Sequence, residues 1–120
     1  LGDVYKRQVI RLVNEERAAA GLDALEKNDT LCTNAGKRAR EVAKKFSHTR
    51  PDGTKCFTVI TISFTSAAEN IAKGQTSPAE VMDSWMNSDG HRKNILSPDY
   101  CQIGVGYDEA SGSWVQIFTD

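Results

Sequence analysis

The sequence predicts an α+β domain in which helices pack on a small antiparallel sheet. Three segments carry apolar residues at helical spacing, and two segments near the end alternate as half-buried strands do. The chain has 120 residues, of which 39% are hydrophobic and 26% charged. These values are typical of one soluble globular domain, large enough to bury a core without metals or dense disulfides.

The first helix is predicted over Val9 to Ala20, and Gly21 ends it as a C-terminal cap. Glu16 falls on its apolar stripe, so it is expected to be partly buried and paired with an arginine. Residues 1–8 are interpreted as a non-native or disordered lead-in, which leaves residues 9–120 as a single domain.

The second and third helices have clear start signals. Asn28 and the two residues after it favour an N-cap, and an apolar stripe follows as far as Phe46. Ser77 and Glu80, with a proline between them, form a capping box that opens the third helix. This capping role accounts for Glu80, so no catalytic role is assigned to it. The apolar run from Phe57 to Phe64 fits either a strand or a helix.

The last part of the chain predicts a β-hairpin. Ile103–Tyr107 and Trp114–Phe118 are strand-like, and the polar segment between them fits a hairpin loop. Gly104 and Gly106 lie on one face of the first strand, which indicates that another element packs closely there.

Charge, hydrophobicity and cysteine spacing argue against several functional classes of protein. The formal net charge is −1, and basic residues are interleaved with acidic ones, so no nucleic-acid surface is expected. No apolar run has the length of a transmembrane segment. Cys32, Cys56 and Cys101 have no zinc-motif spacing, and their odd number argues against a fully paired disulfide framework. Cys32 is interpreted as a small buried residue.

The candidate site is formed by the only two histidines and a nearby acid. His48 lies just past a helix end, Glu69 lies in a short polar interruption, and His91 lies at a predicted helix start. Two imidazoles and a carboxylate could bind a divalent metal or act as acid and base. Spacing alone does not separate these functions from a structural role. Asn70 and Ser88, beside these residues in sequence, are predicted to bind a cofactor or ligand.

Five motifs, in the same order, resemble the CAP superfamily (cysteine-rich secretory proteins, antigen 5 and pathogenesis-related 1), and its bacterial SCP-like extracellular subgroup in particular. They are Val13–Arg17, Phe46–His48, Ala68–Ala72, Trp85–Leu96 and Ile103–Gly106.

The resemblance implies a three-layer α-β-α sandwich with a central antiparallel sheet, and a secreted or envelope-attached location. It also implies that His48, Glu69 and His91 converge in one cleft, where the two histidines hold a divalent metal such as Zn²⁺. The second acid of eukaryotic members falls on Ser88 here, which weakens any two-acid catalytic scheme.

Three functions remain open from the sequence. The first is a monomeric binding module for a metal, a small ligand, a lipid or an envelope component. The second is a protein-interaction domain without chemistry. The third is a metal- or histidine-assisted hydrolase of peptide or cell-envelope substrates, in which Glu69 acts as base or orients a histidine.

Overall fold

The computed structural model describes all 120 residues. The sequence forms four α-helices, one 3₁₀ helix and four strands. In chain order these are α1 (Gly2–Ala19), β1 (Glu26–Lys27), α2 (Asp29–Lys44), the 3₁₀ helix (Cys56–Val59), β2 (Ala67–Lys73), α3 (Pro78–Met86), α4 (Asp89–Ile95), β3 (Gln102–Asp108) and β4 (Ser113–Thr119).

The strands form one sheet in the order β1-β3-β4-β2. The three long strands are antiparallel, and β3 and β4 form the predicted hairpin. The two-residue strand β1 runs parallel to β3 at one edge, so the sheet is mixed rather than wholly antiparallel as expected. At the opposite edge lies β2.

Helices cover both faces of the sheet. Leu31 and Ala35 of α2 pack with Ile117 of β4 in one core. In the other core, Trp85 of α3 packs with Trp114 of β4, together with residues of α1 and α4. The predicted α+β class, with helices packed on a central sheet, is confirmed.

Side chains alternate between the two faces along β2. The Glu69 carboxylate meets Arg38 of α2 on one face. The Asn70 amide meets the backbone of His91 in α4 on the other. Two adjacent residues of one edge strand therefore anchor elements on opposite sides of the sheet.

The helix caps agree with the sequence in part. Asn28 Oδ1 accepts a bond from the Leu31 N–H at 2.9 Å, and Ser77 Oγ accepts one from the Glu80 N–H at 3.2 Å. The Glu80 carboxylate accepts from the hydroxyl of Thr76 rather than completing a reciprocal capping box.

Residues 2–8 continue α1 toward the N-terminus, and Tyr5 packs against Tyr107 and Trp114; the interpretation of residues 1–8 as a lead-in stays a prediction. Two local expectations differ from the structure. Glu16 is exposed, and Arg17 occupies the buried position instead. The Phe57–Phe64 run is neither a strand nor a long helix, because it holds most of the short 3₁₀ helix and then irregular chain.

None of the helices has the length and hydrophobicity needed to cross a lipid bilayer.

The close approach predicted at the β3 glycines is confirmed. A Cβ atom on Gly106 would lie 2.2 Å from the carbonyl oxygen of Ala35, and one on Gly104 would lie 2.3 Å from the carbonyl carbon of Leu31. The backbone of α2 thus rests directly on β3, which fixes the helix that carries Arg38.

We expect Gly106→Ala to lower the free energy of unfolding by about 3 kcal/mol, because helix backbone cannot yield to the added methyl group as a side chain could. Urea denaturation measures the change. Gly36→Ala is the matched control, since its Cβ would meet only Arg40 Nη1 at 3.8 Å. That control should keep its stability or gain up to about 1 kcal/mol from the higher helix propensity of alanine. Equal stability of the two variants would contradict the close approach.

Candidate functional site

The centre of the site is a buried ion pair between Arg38 and Glu69. Arg38 Nε donates to Glu69 Oε2 at 2.8 Å, and Arg38 Nη2 donates to Oε1 at 3.1 Å. The two side chains are 0% and 1% exposed. The planar guanidinium group thus donates one hydrogen bond to each oxygen of the carboxylate, and this ion pair joins α2 to β2.

The remaining donors of Arg38 hold the segment that follows α2. Nη2 also donates to the Ser47 carbonyl at 2.8 Å, and Nη1 donates to Glu41 Oε1 at 2.9 Å. Glu41 in turn accepts three bonds from Arg50. Both ends of the loop that carries His48 are therefore tied to α2 by charged hydrogen bonds.

His48 is the exposed member of this network. Its Nδ1 lies 2.9 Å from Glu69 Oε1, and its side chain is 58% exposed. Because the carboxylate is an acceptor, Nδ1 donates a proton in this bond, and Nε2 is the ring nitrogen that does not contact Glu69. No group of the chain forms a hydrogen bond with Nε2, so it is available to solvent or to a ligand.

Glu69 stays ionised despite its burial. Burial acts to raise the pKa of this carboxyl, but hydrogen bonds from His48 and Arg38 outweigh it and hold the pKa below its usual value of 4.5. A carboxylate so bound is a poor general base, because both oxygens already accept strong hydrogen bonds. Its geometry is that of a group that orients His48.

Cys56 is a member of the site that the sequence analysis missed. Its thiol, a ring nitrogen of His48 and a carboxylate oxygen of Glu69 lie within 4.8 Å of one another. Burial and the adjacent Glu69 raise the pKa of this thiol to about 12, so it is protonated at neutral pH. The turn-forming residues Pro51 and Gly53 could have indicated that the chain reverses between His48 and Cys56. The position of Cys56 follows from the bond of its N–H to the His48 carbonyl at 2.9 Å.

His91 lies on the other side of β2, in the first turn of α4. Its Nδ1 is 2.9 Å from Ser88 Oγ, so Ser88 supports this ring. Burial and the charge of His48 lower the pKa of His91. The ring is consequently neutral at pH 7, and its Nε2 has no hydrogen-bond partner within the chain.

Asn70 holds α4 in place. Its Nδ2 donates to the His91 carbonyl at 3.1 Å and to Gln116 Oε1 at 3.0 Å, while its Oδ1 accepts from Asn94 at 2.9 Å. The amide is fully buried and its donors are both used. In this arrangement Asn70 is a positioning residue for α4, with no donor left for a bound molecule.

An open cleft of about 360 Å³ lies over the start of β2. His48 and Glu69 line it in direct contact with each other. His91 is not among the lining residues: Asn70 binds its backbone carbonyl, and its ring interacts electrostatically with His48. The lining residues are His48, Cys56, Phe57, Ala67, Ala68, Glu69, Asn94 and Tyr100.

The sequence matches a protein family model over nearly its whole length. Residues 10–119 match the model of the CAP family, described as the cysteine-rich secretory protein family. The chain is 43% identical over 119 residues to the protein YkwD of Bacillus subtilis (strain 168), covering 95% of the chain and 46% of YkwD. It is 30% identical over 108 residues to the membrane protein YlbC of the same organism, covering 86% and 31%. The chain thus spans less than half the length of either relative.

Solved structures share the fold. An extracellular protein containing an SCP domain, from Bacillus anthracis str. Ames, superposes with a TM-score of 0.89 at 28% identity, over 98% of this chain and 41% of that one. An outer surface protein of Borrelia burgdorferi gives 0.85 at 24% identity, over 95% and 90%. A cysteine-rich secretory protein of Staphylococcus aureus gives 0.84 at 21%, over 98% and 38%.

We expect Glu69→Gln to lower the free energy of unfolding at pH 7 by about 3 kcal/mol, because it leaves the buried Arg38 charge without its counter-charge. Glu69 has a lowered pKa in the folded state, so its stabilisation is present above its ordinary pKa and is lost as the pH falls through the folded value. The difference in the free energy of unfolding between wild type and Glu69→Gln should therefore become smaller as the pH is lowered from 7 to 3.

Urea denaturation across that pH range measures both effects. Glu109→Gln is the control, since Glu109 is exposed and forms no salt bridge; it should change stability by less than about 0.5 kcal/mol. A gap between wild type and Glu69→Gln that is small at pH 7, or constant with pH, would contradict the role of the ion pair.

Proposed function

Because the chain belongs to the CAP family of cysteine-rich secretory proteins, we propose that it is a binding module that acts outside the cytoplasm and holds a divalent transition metal such as Zn²⁺ through His48 and His91. One observation carries the proposal. Both imidazoles have Nδ1 engaged by a side chain of their own surroundings, and both leave Nε2 without a partner in the chain.

This arrangement suits metal binding for a general chemical reason. A histidine that ligates a metal commonly has its other ring nitrogen hydrogen-bonded to a carboxylate or another acceptor, which fixes the ring and raises its basicity. Glu69 would do this for His48, and Ser88 for His91. The lowered pKa of His91 favours its neutral, ligating form at pH 7.

Two protein ligands leave room for other ligands. Zn²⁺ is usually four-coordinate, so a pair of histidines would leave positions for water or a small anionic group. The bound metal would supply Lewis acidity at those positions. Glu69 would orient His48 rather than accept a proton, because Arg38 already occupies both of its oxygens. The hydrolase hypothesis with Glu69 as base is therefore the weaker one.

The location rests on related proteins. The Bacillus anthracis protein is described as extracellular and the Borrelia burgdorferi protein as an outer surface protein. We propose the same side of the membrane for this chain, where Zn²⁺ and envelope components are accessible. An interaction domain that works without metal is the second candidate, and the following measurement separates it from the first.

We expect the wild-type protein to bind one Zn²⁺, and His48→Ala and His91→Ala each to weaken that binding at least tenfold, because each removes one of two ligands. Competition against a chromogenic chelator at pH 7 measures the affinity. Equal and weak affinities of the wild type and the double variant would reject the metal site and favour the interaction domain.

Cys56→Ala is the matched control. Its thiol lies beside His48 but is protonated at neutral pH, so the variant should retain the wild-type affinity. A loss as large as that of His48→Ala would instead assign the metal to His48, Cys56 and Glu69 and would overturn the pairing of the two histidines.

A further inference from the structure

The start of β2 offers unpaired backbone groups to the cleft. β2 is an edge strand, so only one of its two edges is paired. At its ends, the Ser66 carbonyl accepts from the Asp120 N–H at 3.2 Å, and the Gly74 N–H donates to the Gly112 carbonyl at 2.9 Å. In an antiparallel pair the hydrogen-bonded residues alternate, so the even-numbered residues of this strand point their N–H and C=O groups at β4.

The odd-numbered residues point theirs outward. Trp85 Nε1 confirms the direction, since it approaches from outside the sheet and donates to the Ile71 carbonyl at 3.2 Å. Trp85 thereby closes the edge at Ile71. The outward N–H and C=O groups of Ala67 and Glu69 have no hydrogen-bond partner in the chain.

These same two residues lie in the cleft. Ala67, Ala68 and Glu69 line it, with His48 and Phe57 on the α2 side and Asn94 and Tyr100 on the α4 side. The flanking side chains form two walls, and the unpaired edge of β2 lies between them. A bound molecule would therefore meet a donor–acceptor pattern that repeats every second residue along β2.

We infer that this edge binds a short extended peptide, which adds to the sheet as a strand beside Ala67–Glu69. A tripeptide suffices to place one residue opposite Glu69 and another opposite Ala67, each exchanging N–H and C=O bonds. Side chains of alternate peptide residues would then meet the Phe57 wall and the Tyr100 wall. Backbone pairing would supply affinity, and the two aromatic walls would favour apolar side chains.

The electrostatics of the cleft fit a peptide without an excess of charge. Arg38 neutralises Glu69, the one carboxylate in the lining, and no lysine or arginine lines the cleft. The inference goes beyond the metal proposal, because the contacts are backbone groups of β2 and need neither a metal nor the Nε2 atoms. It is therefore tested with a chelator present.

The probe is a random heptapeptide library selected on the immobilised domain in EDTA. We expect selected peptides to shift and protect the amide signals of Ala67 and Glu69 in ¹⁵N-resolved NMR spectra. A synthetic copy that is N-methylated at the two residues facing β2 should bind at least tenfold more weakly than a copy methylated at the residue between them. This comparison leaves the protein unaltered.

A protein variant gives a second measurement. Ala67→Pro removes an outward N–H without removing a bond to β4, which an edge strand tolerates. It should weaken peptide binding at least tenfold. Lys73→Pro is the matched control, since Lys73 is also odd-numbered and lies outside the cleft; it should bind the peptide as the wild type does.

Three results of the peptide experiments would overturn the inference. They are the absence of any selected peptide, amide shifts confined to other surfaces, and equal binding of the two methylated copies. Concentration-dependent dimerisation that protects the same amides without peptide would also overturn it, since a second copy would then occupy the edge. Loss of Zn²⁺ binding in the histidine variants, with peptide binding kept in EDTA, would support the inference independently of the metal.

Discussion

The buried pair of Arg38 and Glu69 is the interaction on which the site depends. Removing two charges from water costs several kcal/mol per ion, and the cost is offset only when the geometry is excellent and the remaining donors are satisfied. Both conditions hold here, because Arg38 uses its three nitrogens on Glu69, Glu41 and the Ser47 carbonyl. The bond from Arg38 to the Ser47 carbonyl also positions the loop that carries His48. The ion pair that joins α2 to β2 therefore also orients the His48 imidazole.

This coupling limits what Glu69 can do. A carboxylate that acts as a base needs a free lone pair and a pKa near the working pH. Glu69 has a depressed pKa and accepts from Arg38 and His48. The chemistry available at the cleft therefore depends on Nε2 of His48, the most exposed side chain of this network at 58%.

The helices, the hairpin and the close approach at Gly104 and Gly106 were predictable because each has a local signature. The buried arginines also had a local signature, which the helical periodicity could have revealed. Arg17 continues the spacing of Val9 and Val13, and Arg38 lies one turn after Ala35 on the buried stripe of α2. A charge on a buried stripe requires a buried partner.

Those partners were not predictable, because they come from distant parts of the chain. Arg17 donates to the carbonyls of Ile95 and Ser97, which no sequence pattern marks as acceptors. Cys56 reaches the site through a loop whose backbone closes on His48. The strand β1 has only two residues, and it exists because β3 offers it an edge.

The order of the strands places the candidate site at an edge of the sheet. Adjacent residues of a strand face opposite sides of the sheet, so Glu69 contacts His48 on one face and Asn70 contacts the His91 backbone on the other. One ligand could reach both histidines only around an unpaired strand edge. A central strand is closed by neighbours on both edges, whereas β2 has one edge open. The edge position that lets His48 and His91 lie on either side of one strand is also what leaves the backbone of Ala67 and Glu69 unpaired. The proposed metal site and the proposed peptide site therefore both depend on the terminal place of β2 in the sheet.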